Sequence, residues 1–294
     1  MLLVTGMAWS QDESDASGMR LAPGVRLEPA IGTRLSFTDN AYRTDAEKTD
    51  AAGLVVDPSL VLAYSPSHGK YRLGYEGQVG AFDTSDQDNY TDSQFYLTGM
   101  LTPLLRHRVD FDLRYKDGHD PFGTNRTQGQ PAIRDRELDR WNETGVAGKY
   151  TFGHGEATLN LYGRAGLLDK EYKTNREDSF GAGSGTRYLD YGSTLIGGGV
   201  IYRLTAKTRL VLDLEQQDID YDLEFPTGSF DGDSQRALLG ARWIATAKTS
   251  GEFLLGYYAR NFDDNGRTDV SGVDWQVRVD WAARPRSLFS LTSG

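Results

Sequence analysis

The chain reads as an all-β transmembrane protein, an antiparallel up-and-down β-barrel of the bacterial outer membrane with about thirteen strands visible in its 294 residues. Three observations predict this class. Apolar and polar residues alternate with a period of two over segments of about 10 to 15 residues, longer than the usual strand of 5 or 6 and long enough to cross bilayer hydrocarbon at a tilt. The connections between these segments are alternately tight and long. No apolar run approaches the ~18 residues that a membrane helix needs, and the mean hydropathy is -0.54.

Residues 1–10 open the chain. Leu2 to Trp9 form an apolar run followed by Ser10 and Gln11, which reads as the remnant of a secretory signal peptide lacking its basic start. Residues 11–24 read as a polar N-terminal linker, and residues 25–294 as the barrel. Within the barrel the alternation is clean in several places. Tyr71, Leu73, Tyr75, Val79 and Ala81 oppose Arg72, Glu76 and Gln78. Val109, Phe111, Leu113 and Tyr115 oppose Asp110, Asp112, Arg114 and Lys116. Leu159, Leu161 and Ala165 oppose Asn160, Tyr162 and Arg164, and Val273 to Trp281 alternate with Asp274, Gln276, Arg278 and Asp280.

Tight turns are expected at Pro66–Lys70, Pro103–Arg106, Gly153–Gly155, Thr205–Lys207, Ala247–Ser250 and Arg284–Arg286. Longer polar loops fall between them, at Asp39–Asp50, Asp83–Asn89, Asp117–Arg136, Lys173–Thr186, Glu224–Asp233 and Asp263–Thr268. Outer-membrane barrels have this asymmetry, with short periplasmic turns and longer extracellular loops. The length of Asp117–Arg136 suggests a loop folded inward as a constriction. Tyr64, Tyr71, Tyr150, Tyr202, Trp243, Tyr257 and Trp281 are expected to form interfacial girdles. The last strand, Ser287–Ser293, follows a short turn and stops. Single-chain bacterial barrels close with an even number of strands, because lipid cannot satisfy open edges, so a C-terminally incomplete barrel is expected.

Charge and composition narrow the function. With 32 basic and 42 acidic residues the formal charge is -10, which argues against a nucleic-acid partner. The absence of cysteine excludes disulfides, thiol catalysis and thiolate metal sites. With the apolar face toward lipid, the lumen would display Arg72, Glu76, Asp110, Asp112, Arg114, Arg164, Asp213, Glu215, Arg242, Arg260, Asp274 and Arg278. Such mixed signs suit either charge ladders that stiffen the wall or a lining for a neutral or variably charged solute. Inward aromatics include Tyr96, Tyr162 and Tyr258, as well as Phe82 and Phe262. They can stack on sugar rings or fill space above inward glycines.

No catalytic site, cofactor or resident metal is expected. His68, His107 and His154 fall at short turns, only His119 approaches an outer loop, and no GxSxG occurs. The acidic loops at 83–89, 231–234 and 263–266 are rich in oxygen ligands but match no EF-hand spacing.

The run NYTDSQFYLTGMLTPLLRHRVDFDLRYKDGHDPFGTNR, Asn89 to Arg126, resembles the putative β-barrel porin 2 family, and the hairpin WQVRVDWAARPRSLFSLTSG is similar to that family's later hairpins. The likeness extends over about Leu21 to Gly294 and rests on patterns. It implies a complete barrel of about 16 to 18 strands. It also implies export of an exopolysaccharide or capsular polysaccharide across the outer membrane of a Gram-negative bacterium, since members are often encoded beside the corresponding biosynthesis genes. The expected partners are outer-membrane lipid, a polysaccharide substrate and periplasmic export-machinery proteins. A general diffusion porin, or a barrel whose outer loops mediate adhesion, remains open.

Overall fold

Backbone N–H and C=O groups in lipid need hydrogen-bonding partners, and a single sheet gives every strand but its two edge strands a neighbour on each side. The computed structural model describes residues 18–45, 48–84, 86–121, 123–124, 137–153, 157–178, 181–246, 248–284 and 287–293. The strands are β1 (Met19–Ala22), β2 (Val25–Thr38), β3 (Ala51–Tyr64), β4 (Gly69–Phe82), β5 (Tyr90–Leu104), β6 (His107–Asp120), β7 (Asp139–Phe152), β8 (Leu159–Tyr172), β9 (Tyr191–Arg203), β10 (Thr208–Tyr221), β11 (Gly232–Thr246), β12 (Thr249–Phe262), β13 (Val270–Arg284) and β14 (Ser287–Ser293). They form one 14-stranded antiparallel sheet in sequence order, with β1 and β14 at its edges. Among the described residues no helix is long and apolar enough to cross a membrane.

The thirteen strands expected from Val25 onward are β2 to β14. The fourteenth, β1, lies inside the stretch expected to be a linker. Pro23 and Gly24, the latter at φ 75°, fold the chain back so that Met19 and Arg20 pair with Leu27 and Arg26. A Pro-Gly pair is a strong turn signal, and here it makes a strand of four residues too short for alternation to reveal. The signal-like residues 1–10, His154, and residues 125–136 of the loop expected to constrict the lumen lie outside the described residues.

Short and long connections alternate as expected. Residues 65–68, 105–106, 153–158, 204–207, 247–248 and 285–286 join strands at one end, and 39–50, 83–89, 121–138, 173–190, 222–231 and 263–269 at the other. One face of the sheet is apolar and uncovered, as with Ile31, Leu35 and Phe37 of β2, which are 73%, 69% and 74% exposed. At the short-turn end this face carries an aromatic girdle. Tyr64 stacks on Tyr71 at 6.0 Å and Trp281 on Phe289 at 5.6 Å. Tyr257 departs from the expected girdle. It sits mid-strand opposite Ala237 and Val273, because β12 continues beyond it to Phe262.

The other face is not uniformly polar. Val211, Leu238 and Leu254 are buried there and pack together with Ile201. Each belongs to a run of consecutive apolar residues (Leu210–Leu212, Ala237–Leu239, Phe253–Leu255), so a period of two must turn one of them onto the polar face. The register brings these odd members of β10, β11 and β12 side by side, where they shelter one another from water.

Candidate channel face

The polar face has three tiers along the strands. The outer tier, next to the long loops, is aromatic. Phe82 and Tyr90, at the facing ends of β4 and β5, lie 6.2 Å apart. The β5–β6 pairing ends at Ser93 and Asp117, and beyond it His119 folds back over the Tyr90 ring at 4.0 Å, with its Nδ1 2.8 Å from Asp92. The indole N–H of Trp141 and the hydroxyl of Tyr172 both donate to Asp120 at 2.9 Å. Lys170 and Lys116 place their ammonium groups 4.1 and 4.9 Å from the Trp141 ring centre. Tyr191 and Tyr221 continue the tier at 5.5 Å, and Arg260 lies over Phe262 at 4.8 Å. Alternation finds Phe82 and Phe262 in this tier. It misses Tyr90, Trp141, Tyr172, Tyr191 and Tyr221, because these rings close their strands and the adjoining loops obscure the phase.

The middle tier is ion-paired. Arg164 of β8 reaches across β9 to β10, where it bonds Asp213 at 2.7 Å and Glu215 at 2.8 Å, and Tyr162 donates its hydroxyl to the same Asp213. Glycines make this span feasible. A Cβ on Gly197 would meet Arg164 at 2.9 Å, and one on Gly199 would meet the Tyr162 hydroxyl at 2.4 Å. Arg236 pairs with Asp274 at 2.6 Å, Arg114 with Asp112 at 3.1 Å, Arg108 with Asp110 at 2.6 Å and Arg72 with Glu28 at 3.0 Å. Nearer the short turns Arg242 pairs with Glu252 at 2.5 Å and Arg278 with Asp280 at 2.9 Å. Glu76 lies opposite Ser59 and Gln94. The register thus puts every charged residue expected in the lumen on one face, opposite the exposed apolar one. The pairs whose arginine is 40–50% exposed, Arg72–Glu28, Arg114–Asp112, Arg242–Glu252 and Arg278–Asp280, contribute about 0–1 kcal/mol each, so their main effect is to hold long side chains in place against the wall.

The three rings expected to stack on sugars share this face but differ in surroundings. Tyr96 lies over Gly74, where an added Cβ would come within 2.2 Å of its ring. Tyr258 is opposite Arg236 and Gly272. Tyr162 has Lys149 over its ring at 4.1 Å in addition to its bond to Asp213.

The outer loops are built by their own carboxylates. Asp190, 2% exposed, accepts the Tyr172 N–H at 2.6 Å and pairs with Arg176 at 2.8 Å. Asp178 accepts the Gly185 N–H at 2.9 Å and the Tyr188 hydroxyl at 3.1 Å, and meets Arg187 at 2.9 Å. The Gly185 amide foremost, then the Tyr188 hydroxyl and the Arg187 guanidinium, hold its carboxyl below the usual range. Rings join separate loops: Tyr188 meets Phe225 at 5.4 Å, Phe225 meets Phe230 at 4.9 Å, and Arg267 covers Phe230 at 3.4 Å. Loops 173–190, 222–231 and 263–269 therefore pack as one outer layer. In loop 83–89, Asp88 bonds Thr84 and the Tyr42 hydroxyl.

Solved structures with a similar course of strands include the copper transporter OprC and OmpT, an outer membrane protein of Vibrio cholerae. OprC gives a TM-score of 0.49 at 11% identity over 87% of this chain and 46% of its own. OmpT expressed in the outer membrane gives 0.45 at 10% identity over 93% of this chain and 100% of its own. The chain thus spans about half the length of OprC. Among curated proteins none matches it in sequence. The family profile described as Putative beta-barrel porin 2 matches residues 14–293, and the chain belongs to that family of bacterial outer-membrane β-barrels.

Proposed function

We propose that the chain is a passive outer-membrane channel for a polysaccharide, exporting an exopolysaccharide or capsular polymer through a hydrated lumen lined by the polar face. The arrangement that carries this reading is the sequence of tiers on that one face: aromatic rings at the long-loop end above a wall of countered charges. Sugar C–H faces pack on aromatic rings, while ion-paired side chains offer hydrogen bonds without a single-sign field that would trap one ion. In this reading Arg72, Glu76, Asp110, Asp112, Arg114, Arg164, Asp213, Glu215, Arg242, Arg260, Asp274 and Arg278 line the lumen. Tyr96 and Tyr258 contact passing sugar rings, and Tyr162 braces the wall. The drive comes from periplasmic machinery docked at the short turns.

Chromosomal deletion is expected to remove surface polysaccharide, read by lectin staining of intact cells, without changing the influx of small sugars. An intact coat with reduced influx would make the chain a diffusion porin instead. An intact coat with lost surface attachment would assign the function to the packed outer loops.

A further inference from the structure

Glycines on the polar face mark where rings lie down on the wall. Tyr96 opposite Gly74, Tyr90 opposite Gly80, Phe82 opposite Gly53, Tyr162 opposite Gly199 and Trp141 opposite Gly118 each cover their glycine, with side-chain atoms 2.2 to 3.0 Å from where a Cβ would stand. At Gly232, opposite Phe262, the Asn261 carbonyl takes the space. Tyr258 breaks this pattern. It lies directly opposite Gly272 of β13, yet nothing stands within 4 Å of a Cβ built there. The difference arises within the β12–β13 pair, because the Tyr258 ring does not settle on its glycine. Nor does Tyr258 find another partner. Among the described residues its hydroxyl makes no hydrogen bond and its ring no ring or cation contact. Tyr162, by contrast, has Asp213 and Lys149, and Tyr90 has Gln78 and His119. Polar groups border the gap. Two positions along β13 on the same face, Asp274 accepts the Arg236 Nε–H on Oδ2 at 2.6 Å, and among the described residues its Oδ1 accepts nothing. Arg236 is itself opposite Tyr258, on β11. Arg260, two positions along β12, lies over Phe262 at 4.8 Å and makes no ion pair among the described residues.

We propose that the recess over Gly272, walled by Tyr258, is a subsite for one hexopyranose ring with adjacent equatorial hydroxyls, a glucose-type unit of the polymer. This rests on the channel reading above and names what the wall recognises. A glycine inside a strand marks a place where a ligand can approach the backbone closely. A half-buried tyrosine without partners presents an apolar ring face and a polar tip. The C–H face of the sugar packs on that ring. The Asp274 Oδ1 accepts from one hydroxyl, and the remaining N–H groups of Arg236 and Arg260 donate to its neighbour. A diol both donates and accepts, so it meets the open acceptor and the open donors together. A single shallow subsite holds one ring weakly enough for the chain to step past it, as conduction requires.

The test uses the whole chain in planar bilayers and in detergent, with dextran oligomers as the sugar probe and polyethylene glycol of matching size as a polymer without rings. Dextran should interrupt the ion current at concentrations where polyethylene glycol does not. Tyr258→Ala should weaken this block, and the binding of fluorescent dextran in detergent, by about ten-fold, as the loss of one ring contact allows. Tyr258→Phe, which keeps the ring, should retain most of the affinity. Gly272→Val fills the recess with a side chain that suits a strand, and should weaken binding at least as much. Gly145 of β7 is equally open but lies between Arg114 and Leu168 with no ring directly opposite, so Gly145→Val should leave binding unchanged. Heat-modifiable migration in gels checks that each variant keeps its fold. Should Gly272→Val fail that check, the two Tyr258 variants decide. Equal block by polyethylene glycol, no binding of dextran, unchanged binding in Tyr258→Ala, or an equal loss in Gly145→Val would overturn the subsite while leaving the channel standing. A protein that carries no current yet binds dextran through Tyr258 would overturn the channel and keep the sugar site.

Discussion

Arg164 and Tyr162 lean across a strand with no side chain in their way. Their partners Asp213 and Glu215 lie two strands along, and Arg164 and Asp213 each keep only 14% of their side-chain surface exposed. Arg164→Met would strand two carboxylates beside each other, and should lower unfolding stability by about 1–3 kcal/mol, measured by urea titration in lipid vesicles. A change within error would mean that water replaces the guanidinium fully. Gly199→Val attacks the same network from beneath. Its side chain would occupy the site of the Tyr162 hydroxyl and run into the Leu212 carbonyl, 2.2 Å from where a Cβ would stand. A loss of about 1–3 kcal/mol is expected, with Tyr162 fluorescence shifted as the ring leaves Asp213. In the sequence an inward glycine such as Gly197 reads only as space for some inward ring, without saying which. Its use depends on which side chains the neighbouring strand leans over it, and that is a matter of register.

At the scale of elements, loop 173–190 folds on carboxylates that need their charge. Asp178 has a depressed pKa in the folded loop, so its contribution is present above the ordinary carboxylate pKa of about 3.9 and is lost as pH falls through the lower folded value. Hydrogen-exchange protection at Gly185 should hold at neutral pH and fall only below that range. Asp178→Asn, which keeps the shape and removes the charge, should lower protection at neutral pH and flatten its pH dependence. The strands themselves were legible: their alternation, long spans and alternating turns predict β2 to β14 in order. The loops were not. Asp190, Thr186 and the rings of Tyr188, Phe225 and Phe230 read as solvated polar segments with scattered aromatics, because contacts between separate loops leave no periodic trace. The odd residues of the Leu210–Leu212 and Ala237–Leu239 runs show the same limit. Three apolar residues in succession announce that one must cross to the polar face, but not that Val211 and Leu238 will meet there.

At the scale of the whole molecule, one face is made for lipid and the other for water. Leu239, 62% exposed at the middle of β11, belongs to the lipid face. Leu239→Arg should cost about 2–4 kcal/mol in bilayer-reconstituted protein, the penalty of a cation near the midplane. Gln94→Arg, on the polar face opposite Glu76, should be close to neutral in the same assay. Similar costs for the two would assign the faces wrongly. The amino-acid order alone predicts the class of this protein, its run of long strands, the end at which the short turns gather and a shared face for the charged residues named from the alternation. These are local properties, since a two-residue period and a turn are read within a few positions. The three tiers, the Arg164 bridge over Gly197 and Gly199 and the packed outer loops exist only through pairing across strands. Each depends on which residues of distant segments stand at the same height, and a shift of a single pair would dissolve it without altering the alternation.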